Sequence, residues 1–172
     1  MTRQEEIKAI LERNAKAVAL RPSVGQGTAV TKVRMRDGLA CDIEEGRWRF
    51  SADMSAKSGG HDSAPNPGVY GRAALGSCVA IGYMMWAARK DLPIASLEVE
   101  VQADYDVRGE LGVADIPPSY TQVRYIVTVE TTAPEEVVRR VLDEADARSS
   151  WADIFRRGQD TRRELRVVAP VA

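Results

Sequence analysis

Histidine is almost missing from this 172-residue chain, which has His61 alone, and cysteine is limited to Cys41 and Cys78. So few ligands argue against a Cys/His zinc site, and two cysteines make no disulfide framework. Net charge is scarce as well: 24 basic and 25 acidic residues leave −1. That balance gives no electrostatic reason to expect nucleic acid or an acidic membrane as partner. No apolar leader opens the sequence, since Met1 to Glu6 is polar and no h-region follows. The longest uncharged run, between Arg72 and Arg89, is too short and too closely flanked by charge for a membrane span. Internal repeats and low-complexity tracts are absent too. With 44% hydrophobic and 28% charged residues, the composition is that of an ordinary soluble globular domain. Together these absences predict a cytoplasmic protein with reduced thiols and no cofactor.

What is present is a clear order of elements. Thr2 and Glu5 have capping-box spacing ahead of Ile7, Ile10, Leu11 and Val18, predicting an amphipathic helix that ends near Arg21 and Pro22. Gly25 to Gly27 reads as a linker. The period then drops to two: Ala29, Val33 and Met35 alternate with Lys32, Arg34 and Arg36, Asp37-Gly38 is a hairpin signal, and Leu39, Cys41 and Ile43 share the next strand's core-side face. A turn at Glu45-Gly46 leads to a third strand with Trp48, Phe50, Ala52 and Met54 on one face. Ser55 to Asn66 is a loop. A nearly uncharged helix starts near Pro67 and ends near Asp91; an all-round apolar helix must be buried on all sides. Two alternating strands follow, Leu97 to Tyr105 and Val123 to Val129, separated by a loop from Arg108 to Ser119. Thr132 and Glu135 repeat the capping-box spacing before a helix with Val137, Val138, Val141, Leu142 and Ala145 as its stripe. A short helix from Trp151 to Arg157 and a strand from Leu165 to Val168 close the chain. The fold class is α+β, antiparallel sheet packed on a long buried central helix.

Chemistry centres on Cys78, a lone thiol among small residues in the central helix. A thiolate, not a thiol, is the nucleophile, so a nearby cation would have to lower its pKa. Cys78 lies several turns into its own helix, where the dipole of that helix is weak. Cys41 is a candidate second thiol and reads more readily as packing. His61 would serve a Cys-His hydrolase only if folding brought it beside Cys78. The Met84-Met85-Trp86 cluster suits a core or dimer interface, or the wall of an apolar substrate pocket.

The segment PGVYGRAALGSC, Pro67 to Cys78, in this order of elements resembles the osmotically induced protein / organic hydroperoxide resistance (OsmC/Ohr-like) family. Its members carry a proline, a mostly apolar run and a small-residue pair before a cysteine in the central helix. The resemblance covers roughly residues 28 to 168. It divides the chain into an N-terminal helical extension, residues 1–24, and an OsmC/Ohr-like domain, residues 25–172. It implies an intertwined homodimer, a peroxide-attacking Cys78, and an arginine from the first hairpin, matched by Arg36 with Arg34, Arg47 and Arg72 as rivals. Two family features are absent here. Gly68 and Val69 follow the proline where an arginine-orienting acid or amide is usual, and Ser149 or Ser150 stands where a resolving cysteine is expected. The implied function is thiol-dependent reduction of organic or lipid hydroperoxides by one cysteine and an external thiol. The alternative is a non-catalytic scaffold binding an apolar small molecule at the dimer interface.

Overall fold

A computed structural model describes residues 1–169, an α+β chain with two separate antiparallel sheets. The first helix, α1 (Arg3–Leu20), begins with the expected reciprocal cap. Thr2 accepts from the Glu5 backbone, and the Glu5 carboxylate accepts from the Thr2 backbone. A 3-10 turn at Pro22–Gly25 then leads to the meander β1 (Lys32–Met35), β2 (Cys41–Glu45) and β3 (Trp48–Ala52). Met35 pairs with Cys41, and Ile43 with both Val33 and Phe50. Gly38 and Gly46 take positive φ at the two turns, as hairpin geometry requires.

After the loop comes α2 (Pro67–Arg89), capped by Asn66, whose side chain accepts from the Val69 backbone. The second sheet is a long hairpin, β4 (Ser96–Asp104) and β5 (Gln122–Glu130), with Val99 opposite Val127 and Val101 opposite Tyr125. Its odd-numbered face packs on Leu75, Val79 and Tyr83 of α2. Gly76 lets the layers close, because a Cβ there would stand 3.0 Å from Val101 Cγ2. The helices α4 (Glu135–Asp146) and α5 (Ser150–Arg156) complete the layer, with Val138, Val141, Ala145 and Ala152 buried. Tyr83, 2% exposed, donates its hydroxyl to Asp146 Oδ1 at 2.9 Å, locking α2 to the end of α4. Burial first, then the Asp146 carboxylate, push the phenol well above its ordinary pKa. Among the described residues no helix is long and apolar enough to cross a membrane.

Three sequence expectations need correction. Leu165 to Val168 is exposed and forms no strand; among the described residues it pairs with neither sheet. The Thr132–Glu135 capping box does not form: the helix starts at Glu135 with Pro134 as its cap residue, and no side chain caps it. The loop after β4 contains a short helix, α3 (Val107–Glu110), capped by Asp106. Within a single chain, α2 is buried along one face. Ile81 is 61% exposed, and Met84 and Met85 are open as well, since the chain's own sheet and helices cover only the opposite side.

Candidate functional site

Helical spacing puts Ala74, Cys78, Ile81 and Met85 on one side of α2, facing the turn between α4 and α5. That turn is tight: Arg148 and Ser149 donate their backbone N–H groups to Ala145 and Asp146. Ser149 then caps α5 by accepting from the Ala152 backbone at 3.3 Å. Ser149 Oγ and Ser150 Oγ each come to 3.6 Å from Cys78 Sγ. The backbone N–H groups of Trp151 and Ser150 also donate to the sulfur. Burial pushes the thiol pKa up, but these donors outweigh it, the Trp151 N–H first and then the Ser149 and Ser150 hydroxyls. The net shift is below the ordinary thiol value. The thiol is therefore more readily ionised than an ordinary one, through hydrogen-bond donors rather than a cation.

The sulfur is half-buried and lines an open cavity of about 570 Å³. Ile81, Met85 and Trp86 supply apolar wall, Ser149 and Ser150 polar wall, and Arg148 the one charged side chain. Sequence reasoning expected Ser149 or Ser150 near Cys78, and the structure brings both there. What it missed is their service as donors and the part played by the α5 backbone. A serine immediately before a helical stretch was the available signal, because it marks an N-cap and hence a set of free N–H groups.

The other sequence candidates lie elsewhere. Arg36 sits on the exposed first hairpin, its Nε 3.2 Å from Asp42 Oδ1, and within one chain it is not part of the cavity wall. Arg34 pairs with Glu44 at 2.9 Å, and Arg47 lies 4.7 Å from the centroid of the Trp48 indole. Arg72 donates to the Tyr120 hydroxyl at 3.1 Å. Gly68, where the resemblance expects an acid or amide nearby, faces this pair: a Cβ on it would stand 3.3 Å from both the guanidinium and the phenol. Cys41 is a free thiol on β2, and His61 lies beside the Gly38 turn; neither lines the cavity. Among the described residues no group of three or more His, Cys, Asp or Glu side chains could hold a metal ion.

One feature of the loop before α2 was not foreseen. Asp53, 1% exposed, accepts hydrogen bonds from the backbones of Met54, His61 and Ser63 and from the Ser63 hydroxyl. The Ser63 hydroxyl, followed by these backbone donors, lowers its carboxyl pKa to about 2. Gly60 is obligatory in the same loop, because a Cβ would stand 2.0 Å from the Met54 carbonyl oxygen.

The family model described as OsmC-like protein matches residues 60–162. Among solved structures, an OsmC-like protein from Mycoplasma pneumoniae superposes with a TM-score of 0.66 at 10% identity, covering 76% of this chain and 89% of the other. An organic hydroperoxide resistance protein OsmC from Legionella pneumophila matches with a TM-score of 0.56 at 13% identity, covering 76% and 90%. An organic hydroperoxide resistance protein from Elizabethkingia anophelis, solved with crystallant-derived thiocyanate bound, matches with a TM-score of 0.58 at 12% identity, covering 77% and 91%. At these identities the likeness is one of fold. No curated protein matches the chain.

Proposed function

This chain belongs to the OsmC-like protein family, and on that premise we propose that it is a cysteine peroxidase that reduces organic or lipid hydroperoxides through Cys78. The observation that carries this reading is a half-buried sulfur, flanked at 3.6 Å by the Ser149 and Ser150 hydroxyls and with its pKa held below the ordinary thiol value, at the wall of an open, largely apolar cavity. The Cys78 thiolate attacks the terminal oxygen of the hydroperoxide. An S–O bond forms, the O–O bond breaks, and the alkoxide leaves to take a proton and become the alcohol. Sulfur is oxidised by two electrons to the sulfenic acid and the peroxide is reduced. An external thiol then displaces water from the sulfenic acid to give a mixed disulfide. A second thiol releases Cys78 as the other product disulfide departs. Cys41 lies outside the cavity and serines flank the sulfur, which supports an external reductant.

The apolar residues left open on α2 and on the first sheet support a homodimer in which a second copy covers Ile81, Met84 and Met85. In that assembly the first hairpin of one copy reaches the cavity of the other. Arg36 of the partner subunit would then stabilise the thiolate and the leaving alkoxide. Purified protein given cumene hydroperoxide and dithiothreitol should consume the peroxide, and Cys78→Ser should abolish consumption. Equal rates for the two proteins defeat the proposal. The second reading, a non-catalytic scaffold that holds an apolar ligand, is favoured by the lack of a second thiol at the cavity. Alkylation of Cys78 at neutral pH no faster than that of a free cysteine would select it.

A further inference from the structure

The hydroxyls beside the sulfur are held in place by a contact outside the cavity. Ser149 caps α5 and Ser150 opens it, and each Oγ stands 3.6 Å from Cys78 Sγ. Sulfur is a weak hydrogen-bond partner, so these two contacts do not fix the turn by themselves. Ala145 and Ala152, buried on either side of the turn, let α4 and α5 come close to α2. Burial has no direction, however, and two methyl groups leave the turn free to slide or rotate on the helix. A directional bond stands behind it. Tyr83, on the same helix as Cys78 and 2% exposed, donates its hydroxyl to Asp146 Oδ1 at 2.9 Å. Asp146 ends α4, and its carbonyl accepts from the Ser149 backbone at 3.3 Å and from Arg156 Nη1 of α5 at 3.4 Å. One residue thus joins α2, α4 and α5 just ahead of the hydroxyls that flank the sulfur. Burial, then the Asp146 charge, holds the neighbouring Tyr125 phenol of β5 above its ordinary pKa, as burial does for Tyr83. Both phenols stay protonated through the range in which a thiol titrates, so the bracket does not open as Cys78 ionises.

We infer that Tyr83 and Asp146 are positioning residues for Cys78: their hydrogen bond sets the place of the α4–α5 turn and, through it, the reactivity of the sulfur. This rests on the reading of Cys78 as the reacting thiol and names what tunes that same site from outside. Neither residue lines the Cys78 cavity, so neither touches a substrate there. A shift of the turn by roughly 1 Å is enough to uncouple groups that meet the sulfur at this range.

The test is made in a Cys41→Ser background, so that Cys78 is the thiol read. Iodoacetamide alkylation is followed across neutral and alkaline pH, beside thermal unfolding and the consumption of cumene hydroperoxide. The background protein should show a thiol pKa below that of free cysteine. Tyr83→Phe and Asp146→Leu should raise that pKa by about one and slow alkylation at neutral pH about three- to tenfold. Asp146→Asn keeps an oxygen that accepts from Tyr83 and should retain the background profile. A carboxylate acting through its charge alone gives a different pattern, in which Asp146→Leu and Asp146→Asn both lower the thiol pKa, and that pattern overturns the inference. So does a Tyr83→Phe protein that unfolds earlier yet keeps the background profile, because a merely structural bond moves stability alone. A background pKa no lower than that of free cysteine, or an Asp146→Asn loss equal to that of Asp146→Leu, overturns it too. Should Asp146→Leu not fold, Tyr83→Phe, which keeps the ring, decides together with Asp146→Asn. The expected pKa pattern with no peroxide consumed upholds the positioning role and removes only the peroxidase reading.

Discussion

The two sheets of this protein are built from the same alternation of apolar and polar residues, yet they end in opposite situations. The β4–β5 hairpin lays Leu97, Val99, Val101, Val123, Tyr125 and Val127 on α2 and buries them in its own subunit. The β1–β3 meander leaves Val33, Met35, Trp48 and Phe50 exposed. It is tied to the remainder through the Phe50–Tyr70 ring contact, the Tyr70 hydroxyl on the Ser51 carbonyl, and the loop anchored by Asp53. One half makes its own core; the other offers a face that water does not favour. Alternation thus identifies an apolar face without saying which chain covers it.

The strongest perturbation should come from the self-contained half. Leu75, 2% exposed, lies at the centre of the α2–β4–β5 cluster. Leu75→Ala should cost about 2–5 kcal/mol, read from urea or thermal unfolding. On the open apolar face of the meander, Trp48→Ala should change the stability of an isolated chain far less, because that side chain is 62% exposed. Comparable losses at the two sites would erase the contrast.

Next in size is the open face. Ile81→Glu would place a charge where a second copy is expected to pack. Since a two-fold interface meets the substitution twice, sedimentation should show dimer association weakened by about two orders of magnitude. Peroxidase activity should fall with it, as Arg36 of the partner subunit leaves the cavity. A wild-type protein that is monomeric at micromolar concentration would sink the dimer and that role of Arg36 together.

A smaller effect is expected where the α4–α5 turn meets α2. Ser150→Ala removes one donor from the Cys78 sulfur, so the thiol pKa should rise and alkylation at neutral pH should slow by up to about tenfold. Ser149→Ala should slow it similarly and also destabilise the protein by about 1 kcal/mol through loss of the α5 cap. The different stability costs separate the two hydroxyls.

The mildest effect belongs to the loop that joins the two halves, and it appears only in acid. Asp53 has a folded pKa of about 2, below its ordinary value of 3.8. It therefore binds its proton less readily when folded, and its stabilisation is complete above pH 4 and lost as pH falls through about 2. Wild type should lose more of its urea midpoint between pH 5 and pH 2.5 than Asp53→Asn does. Parallel pH profiles for the two proteins would show that the carboxylate does not tie the halves.

Much of this architecture was legible in the residues. The shift from a period of three or four to a period of two located α1, the hairpins and α4, and Pro67 with the uncharged run located α2 and its cysteine. Identical local signals did not always succeed, however. Thr2 and Thr132 stand at the same spacing from a glutamate, but only Thr2 becomes a cap; at the second site Pro134 occupies the cap position. Leu165 to Val168 has strand-like residues and no neighbour to pair with. Ser149 was legible as the residue expected where a resolving thiol would stand, and its roles as helix cap and sulfur ligand needed the coordinates.

By itself the sequence determined where most of the helices and strands run, which residue carries the thiol, and that this thiol sits on a helix with little charge. Periodicity and capping act over a few neighbouring residues, so they are written locally. Only tertiary structure decided what surrounds the sulfur. The donors to Cys78 and the Arg148 guanidinium come from the turn after α4, brought to α2 by burial of Val138, Val141 and Ala145. Burial of apolar surface has no direction along the chain, so the neighbours it creates follow from the packing of whole elements and from no short-range pattern.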